Sequence, residues 1–268
     1  RDAQESRGLG DVYKRQAFGE CDYETQIQQT YGDLKKKDIE GLSGVIAVST
    51  KNAKRLLDLG IFSDIPIIVA PNSVDHNIFH PLNRLECRHR LGLSTDKFIV
   101  GFVGGFIERK GDKRLLAAVN ELDDVYLVYA GRGDVPPSGE KVLFCKAMKH
   151  DDIPILLCAA DVFCLPTLSE GSCNAVVEAM ACGIPVISSN LSFNDDVLTE
   201  ENAIRIDPSS VDEIREAIYE IKVNNVLRDR LGKAALKTSE GLNIKNRAKK
   251  ILNFMFRGNI EGNNDSES

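Results

Sequence analysis

Short, continuous apolar runs recur along the chain: GVIAVS (44–49), IPIIVAPN (65–72), KFIVGFVGG (97–105), VYLVYAG (125–131), KVLFCK (141–146), VFCLPT (162–167), IPVISS (184–189) and AIRID (203–207). Between them lie stretches whose apolar positions repeat at helical spacing: TKNAKRLLDLG, RLECRHRLGL, DKRLLAAVNEL, DDIPILLCAA and the segment after Glu170. Runs that are apolar throughout predict strands buried on both faces, and helices between them predict parallel pairing. Thr50 is the expected N-cap of the first helix and Gly60 its stop. After Pro208 the pattern turns helical in VDEIREAIYEI, VLRDRLGKAALKTSE and NIKNRAKKILNFMF, and the polar tail from Gly258 to Ser268 predicts disorder. The fold class is therefore α/β: a Rossmann-like parallel sheet with helices on both faces. In such sheets ligands bind beyond the carboxyl ends of the strands, so the loops after 97–105, 125–131, 141–146 and 162–167 should meet at one cleft.

Composition narrows the functional classes. The 268 residues carry 34 Lys and Arg against 40 Asp and Glu, a net charge of -6, which argues against a general nucleic-acid binder. The seven cysteines include no CxxC pair and sit mostly in apolar runs, as reduced thiols of a cytoplasmic protein do. No apolar run reaches the roughly 18 residues of a membrane helix. The chain opens on Arg1 and is read as a fragment. DVYKRQ (11–16) is the direct translation of GAT GTG TAT AAG AGA CAG, a transposon end used in preparing sequencing libraries. Residues 1–16 are accordingly expected to be adapter-derived and are left out of the fold.

Two places carry chemistry. In GGFIERKGDKR, Gly104 and Gly105 allow close backbone approach, while Arg109 and Lys110 stand just before a helix start. Cations there oppose the helix dipole unless an anion sits between, so the loop is either an anion site or a solvated turn. Neither a P-loop nor a dinucleotide fingerprint matches. In EGSCNAVVEAMACGIPVI, Glu170 and Gly171 follow a strand, and Asn174 is the expected cap of the helix that holds Glu178 among small apolar residues. An acid in such company is either paired or points to water. Two acids with backbone N–H groups between them suit a ligand with hydroxyls at its ends and a phosphate in its middle.

EGSCNAVVEAMACGIPVISS resembles the signature of glycosyltransferase family 4, retaining enzymes of the GT-B fold: Glu, seven residues, Glu, then Ala-Met-Ala-x-Gly-x-Pro-Val. VIAVSTKNAKRLLDLG, APNSVDHNIFHP, GFVGGFIERKG, AADVFCLPTLSEG and AIRIDPSS keep the family's order, so the resemblance covers about residues 40–255. It implies a remnant of an N-terminal acceptor domain (17–69), a nucleotide-sugar-binding domain (70–240), a C-terminal helix packing back on the first (241–257) and a disordered tail (258–268). Glu178 would bind the ribose hydroxyls, Glu170 the donor sugar, and the backbone at Ser172, Cys173 and Asn174 the diphosphate. Lys110 would neutralise the leaving phosphates, and the loop from Lys146 to His150 would lie beside the base. The expected partners are a nucleotide-diphosphate sugar as donor substrate and a glycan or lipid-linked acceptor, in a setting of polysaccharide biosynthesis. Neither cofactor nor metal is expected, and membrane contact would be peripheral, through the missing N-terminal half. Many family members place an Arg where this chain has Gly105; Arg109 is the candidate substitute. A fragment of this kind is expected to bind donor but not to transfer. The competing functions are a non-catalytic nucleotide-sugar-binding domain and a nucleotide-sugar epimerase.

Overall fold

The computed structural model describes residues 36–260. Residues 1–16, expected to be adapter-derived, residues 17–35 of the expected N-terminal remnant and residues 261–268 of the expected tail lie outside the described residues.

Two parallel sheets form among the described residues. The small one pairs β1 (Val45–Ala47) with β2 (Ile67–Val69) across helix α1 (Thr50–Asp58), over a core of Ile39, Val45 and Phe62. The large one holds β3 (Phe98–Val103), β4 (Val125–Ala130), β5 (Val142–Lys146), β6 (Val162–Leu165), β7 (Val186–Ser189) and β8 (Ala203–Ile206), in the order β5-β4-β3-β6-β7-β8. Every pairing in it is parallel. All residues of β6 and β7 are buried, whereas the edge strand β5 is half-buried. That gradient is why the inner strands read as unbroken apolar runs. Helices α2 (Arg84–Leu91), α3 (Asp112–Asn120), α4 (Ile153–Ala159), α5 (Asn174–Ala181), α6 (Val211–Val223) and α7 (Asn225–Gly241) cover it.

The strand order places the site. From β3 the chain steps outward through β4 to β5, then returns to the other side of β3 for β6 and steps outward again. The winding therefore reverses between β3 and β6, and the connections leaving their carboxyl ends diverge to open a crevice.

Ends of elements depart from the sequence reading at the first helix and at the last. Ser49, not Thr50, caps α1, accepting from the Asn52 N–H. Thr50 is the first helical residue, and its backbone N–H and hydroxyl both bond to Asp196, a carboxylate from beyond β7. A carboxylate is favoured at that helix end. The last helix, α8 (Ile244–Ile260), runs past the expected boundary at 257. Arg247 of α8 donates to the Ala70 carbonyl and the Phe254 ring lies against Gly44, which brings this helix to the small sheet.

At the opposite, amino-terminal edge of β3 and β6 lies a buried ion pair. Arg88 is 2% exposed and donates to Asp161, to the Ala159 carbonyl and to the Thr95 carbonyl; Asp161 also accepts from Ile99 N–H and Arg84. Removing one partner of such a pair strands a buried charge. Asp161→Ala is therefore expected to cost about 3–5 kcal/mol of stability, read as a shift of the urea midpoint.

Candidate functional site

The cleft is assembled from loops leaving the carboxyl ends of β3, β4 and β6. After β3 the chain passes Gly104 and Gly105, forms a single turn over Glu108–Lys110 and enters α3 through Gly111, whose φ is +79°. The β4 loop sits hard against it: Phe106 N–H donates to Arg132 O, and a Cβ at Gly131 would lie 1.9 Å from Gly104 O. Only glycine permits that approach at 131. On the other side Leu168 N–H donates to Arg109 O, tying the β6 loop to the β3 loop.

Glu170 is the knot between these loops. Its Oε1 accepts from Lys110 Nζ, from Arg109 Nη1 at 3.1 Å and from Thr167 Oγ1 at 3.1 Å. Among the described residues none reaches Oε2. Arg109 also donates to the Ser169 carbonyl. The two cations before α3, unfavourable to that helix end by themselves, thus answer to a carboxylate from the neighbouring strand.

Helix α5 begins one short loop later. Cys173 is its N-cap without a cap hydrogen bond from its side chain, although the Val176 N–H faces its sulfur, and the other leading N–H groups remain available to an anion. This corrects the expected cap: Asn174 is the first helical residue and its side chain is exposed. The loop before it is buried at Gly171, Ser172 and Cys173. Asn72, from the connection after β2, anchors that loop by donating its N–H to Ser172 Oγ and its side-chain amide to Ser172 O.

Glu178 stands a turn into α5, with 13% of its side chain exposed. His150 Nε2 lies 3.2 Å from its Oε1, and the His150 ring packs edge-on against Phe79. Burial raises the Glu178 carboxyl above its ordinary value of 4.5; the His150 hydrogen bond and charge oppose that shift without cancelling it. Cys173 senses both acids. Burial first, then Glu170, push its thiol up to about 11 against the pull of Lys110, with Glu178 adding to the rise. The two carboxylates thus flank one helix start.

Of the residues singled out in the sequence, the fold brings Lys110, Arg109 and Glu170 together, and Glu178 together with His150. Gly104 lies beside the Lys110 side chain and Gly105 beside Arg132 O, while Gly171, Ser172 and Cys173 form the buried loop between Glu170 and α5. Lys146 does not join either group: it is exposed at the end of β5, with Nζ 5.7 Å from the Phe144 ring centre. Thr167 and Asn72 were not anticipated. Asn72 bonds to Ser172, a hundred residues on, and nothing in APNS marks it; Thr167 bonds within its own loop to Glu170, but the Ser189 and Arg109 contacts that fix it come from other elements.

The profile described as "Glycosyl transferases group 1" matches residues 83–238, more than half of the chain. This chain belongs to the group 1 glycosyl transferases. Among curated proteins, this group 1 chain is 30% identical over 160 residues to the D-inositol 3-phosphate glycosyltransferase of Mycobacterium tuberculosis, a match covering 54% of the chain and 33% of that protein. It thus spans about a third of the length of the curated relatives it matches. Among solved structures, the sucrose-phosphate synthase of Thermosynechococcus elongatus matches with a TM-score of 0.76 and 25% identity, over 95% of this chain and 67% of that one. Anabaena HepE in complex with UDP-glucose matches with a TM-score of 0.75 and 18% identity, over 91% of this chain and 70% of that one. The six-stranded parallel sheet with its flanking helices is the architecture of these GT-B neighbours.

Glu178 yields a stability prediction for this group 1 transferase domain. Its folded value is raised, so protonation favours the fold: that contribution is complete below 4.5 and is lost as pH rises through the raised value. Glu178→Gln has no charge to bury. Its melting temperature relative to wild type should rise from about pH 4 to about pH 8, as differential scanning calorimetry would show; a constant difference contradicts the burial assignment.

Proposed function

We propose that the protein from which this chain comes is a retaining glycosyltransferase of family 4, moving a hexose from a nucleoside-diphosphate sugar to a glycan or lipid-linked acceptor. The observation that carries this reading is the pair of carboxylates, Glu170 and Glu178, flanking the start of α5 with Lys110 on the Glu170 side. A diphosphate seated on the α5 N–H groups places a ribose toward Glu178 and the transferred sugar toward Glu170. The UDP-glucose held by the Anabaena neighbour makes uridine diphosphate the first ligand to try.

The chemistry follows from where charge develops. As the bond from the sugar's anomeric carbon to the phosphate oxygen breaks, the electron pair leaves with the diphosphate and the sugar becomes oxocarbenium-like. Lys110 and the α5 start stabilise the growing negative charge, and groups of that kind are worth about 100–1000-fold in rate. Ionised Glu170 and Glu178 orient the two sugars through their hydroxyls. The acceptor meets the opposite, N-terminal half, of which residues 17–69 are a remnant, and the reaction needs no metal. The chain alone binds donor and does not transfer; its setting is the cytoplasm, and any membrane contact belongs to that other half.

Gly105 bears on a second reading, a domain that binds nucleotide sugars without turning them over, since it leaves the phosphate loop one cation short. The fold does not require glycine there: a Cβ at Gly105 would find its nearest neighbour, Arg132 O, at an ordinary 3.7 Å. Gly105→Arg should therefore fold normally and tighten uridine diphosphate binding about threefold to tenfold at low salt.

Isothermal titration of the chain with uridine and guanosine diphosphates tests the main proposal. One should bind, and Glu178→Ala should weaken it about tenfold or more. Binding should also weaken as pH falls through the raised Glu178 value, because the protonated acid loses an acceptor. Failure of both nucleotides at millimolar concentration contradicts the proposal. In a chain extended to the full N-terminal half, Glu170→Ala should chiefly slow transfer.

A further inference from the structure

We infer that Thr167 is a positioning residue for the donor sugar, the group that keeps Glu170 in place once phosphate has drawn Lys110 away. The inference rests on the reading of Glu170 given above.

Three donors share Glu170 Oε1, but they are not equivalent. Lys110 and Arg109 are long side chains, 18% and 15% exposed, and cations of this kind turn toward a diphosphate when one arrives. If Lys110 does so, the carboxylate loses a partner at the moment it must face the sugar. Thr167 cannot leave. It is wholly buried, and its own carbonyl is held by the Ser189 hydroxyl from β7. Ser189 O is in turn held by the Asn194 amide, which also lies within 3.4 Å of Ser188 Oγ. The Thr167 backbone that carries the hydroxyl is thus held from β7, independently of the Glu170 carboxylate and of either cationic side chain.

A hydroxyl has one proton. Around Thr167 Oγ1 stand three acceptors, Glu170 Oε1 at 3.1 Å, Arg109 O at 3.2 Å and Ser169 O at 3.3 Å. The carboxylate is nearest and the only charged one, so it takes the proton. The neighbouring Ser169 hydroxyl is buried and makes no bond to Glu170. Held this way on Oε1, the carboxylate keeps Oε2 for the sugar.

The test compares UDP-glucose with UDP by calorimetry on the whole chain, with GDP-mannose and GDP taking their place if the chain prefers guanosine. In wild type the ratio of the two affinities reports the sugar contacts. Thr167→Val should lower that ratio about threefold to tenfold while leaving affinity for the bare diphosphate unchanged, and Thr167→Ser should restore it. Thr167→Ala carries the same expectation and covers the case of a valine methyl that does not pack. An unchanged ratio in Val and Ala, or equal loss for both ligands, overturns the inference. Absence of any nucleotide binding by wild type strikes instead at the nucleotide-sugar reading itself.

Discussion

One carboxylate oxygen holds the two halves of the crevice together. The winding of the sheet reverses between β3 and β6, so the loops leaving those strands would diverge if nothing joined them. Glu170, on the β6 side, accepts from Lys110 and Arg109 on the β3 side and from Thr167 beneath it. The same bonds neutralise two cations placed against a helix start and fix the loop that leads into α5. The loop geometry, the neutralisation of both cations and the proposed anion and sugar contacts therefore depend on one local arrangement of charge.

How much of this could be read from the residues varies with the range of the interaction. Strands such as VFCL and VISS are buried on both faces, and burial of that kind writes itself into the chain as an apolar run. The carboxyl-end cleft followed from strand–helix alternation, and the spacing of Glu170 and Glu178 was legible because both lie in one local segment. What was not legible is contact at a distance. Ser49 took the cap from Thr50 because Asp196, far along the chain, claims the Thr50 N–H. Asn174 lost the capping role because Cys173 adopts the extended backbone that precedes the helix. Asn72 matters through Ser172, a hundred residues on, and Thr167 is held on Glu170, its neighbour in the same loop, by Ser189 from β7. Lys146, close to His150 in sequence, is exposed at the end of an edge strand and bonds to neither acid.

The site is built at some expense to the fold. Glu178 is buried enough for its carboxyl to be raised. Asp112, the first residue of α3 beside the β3 loop, is 1% exposed, has an unpartnered Oδ1 and is likewise raised by burial. Ser169 Oγ is a buried hydroxyl without a partner. These groups cluster around the carboxyl ends of the strands, while the far edge carries the fully satisfied Arg88–Asp161 network. Polar groups left waiting at one edge and completed at the other are the pattern of a sheet that binds at the first and is held at the second.

The most direct measurement is a crystal structure of the chain with a bound nucleoside-diphosphate hexose. The account predicts the diphosphate against the first N–H groups of α5, ribose hydroxyls on Glu178, sugar hydroxyls on Glu170, and Lys110 turned to phosphate while Thr167 stays on Oε1. A nucleotide lying elsewhere, or crossing the cleft with either carboxylate left out of contact, would contradict it.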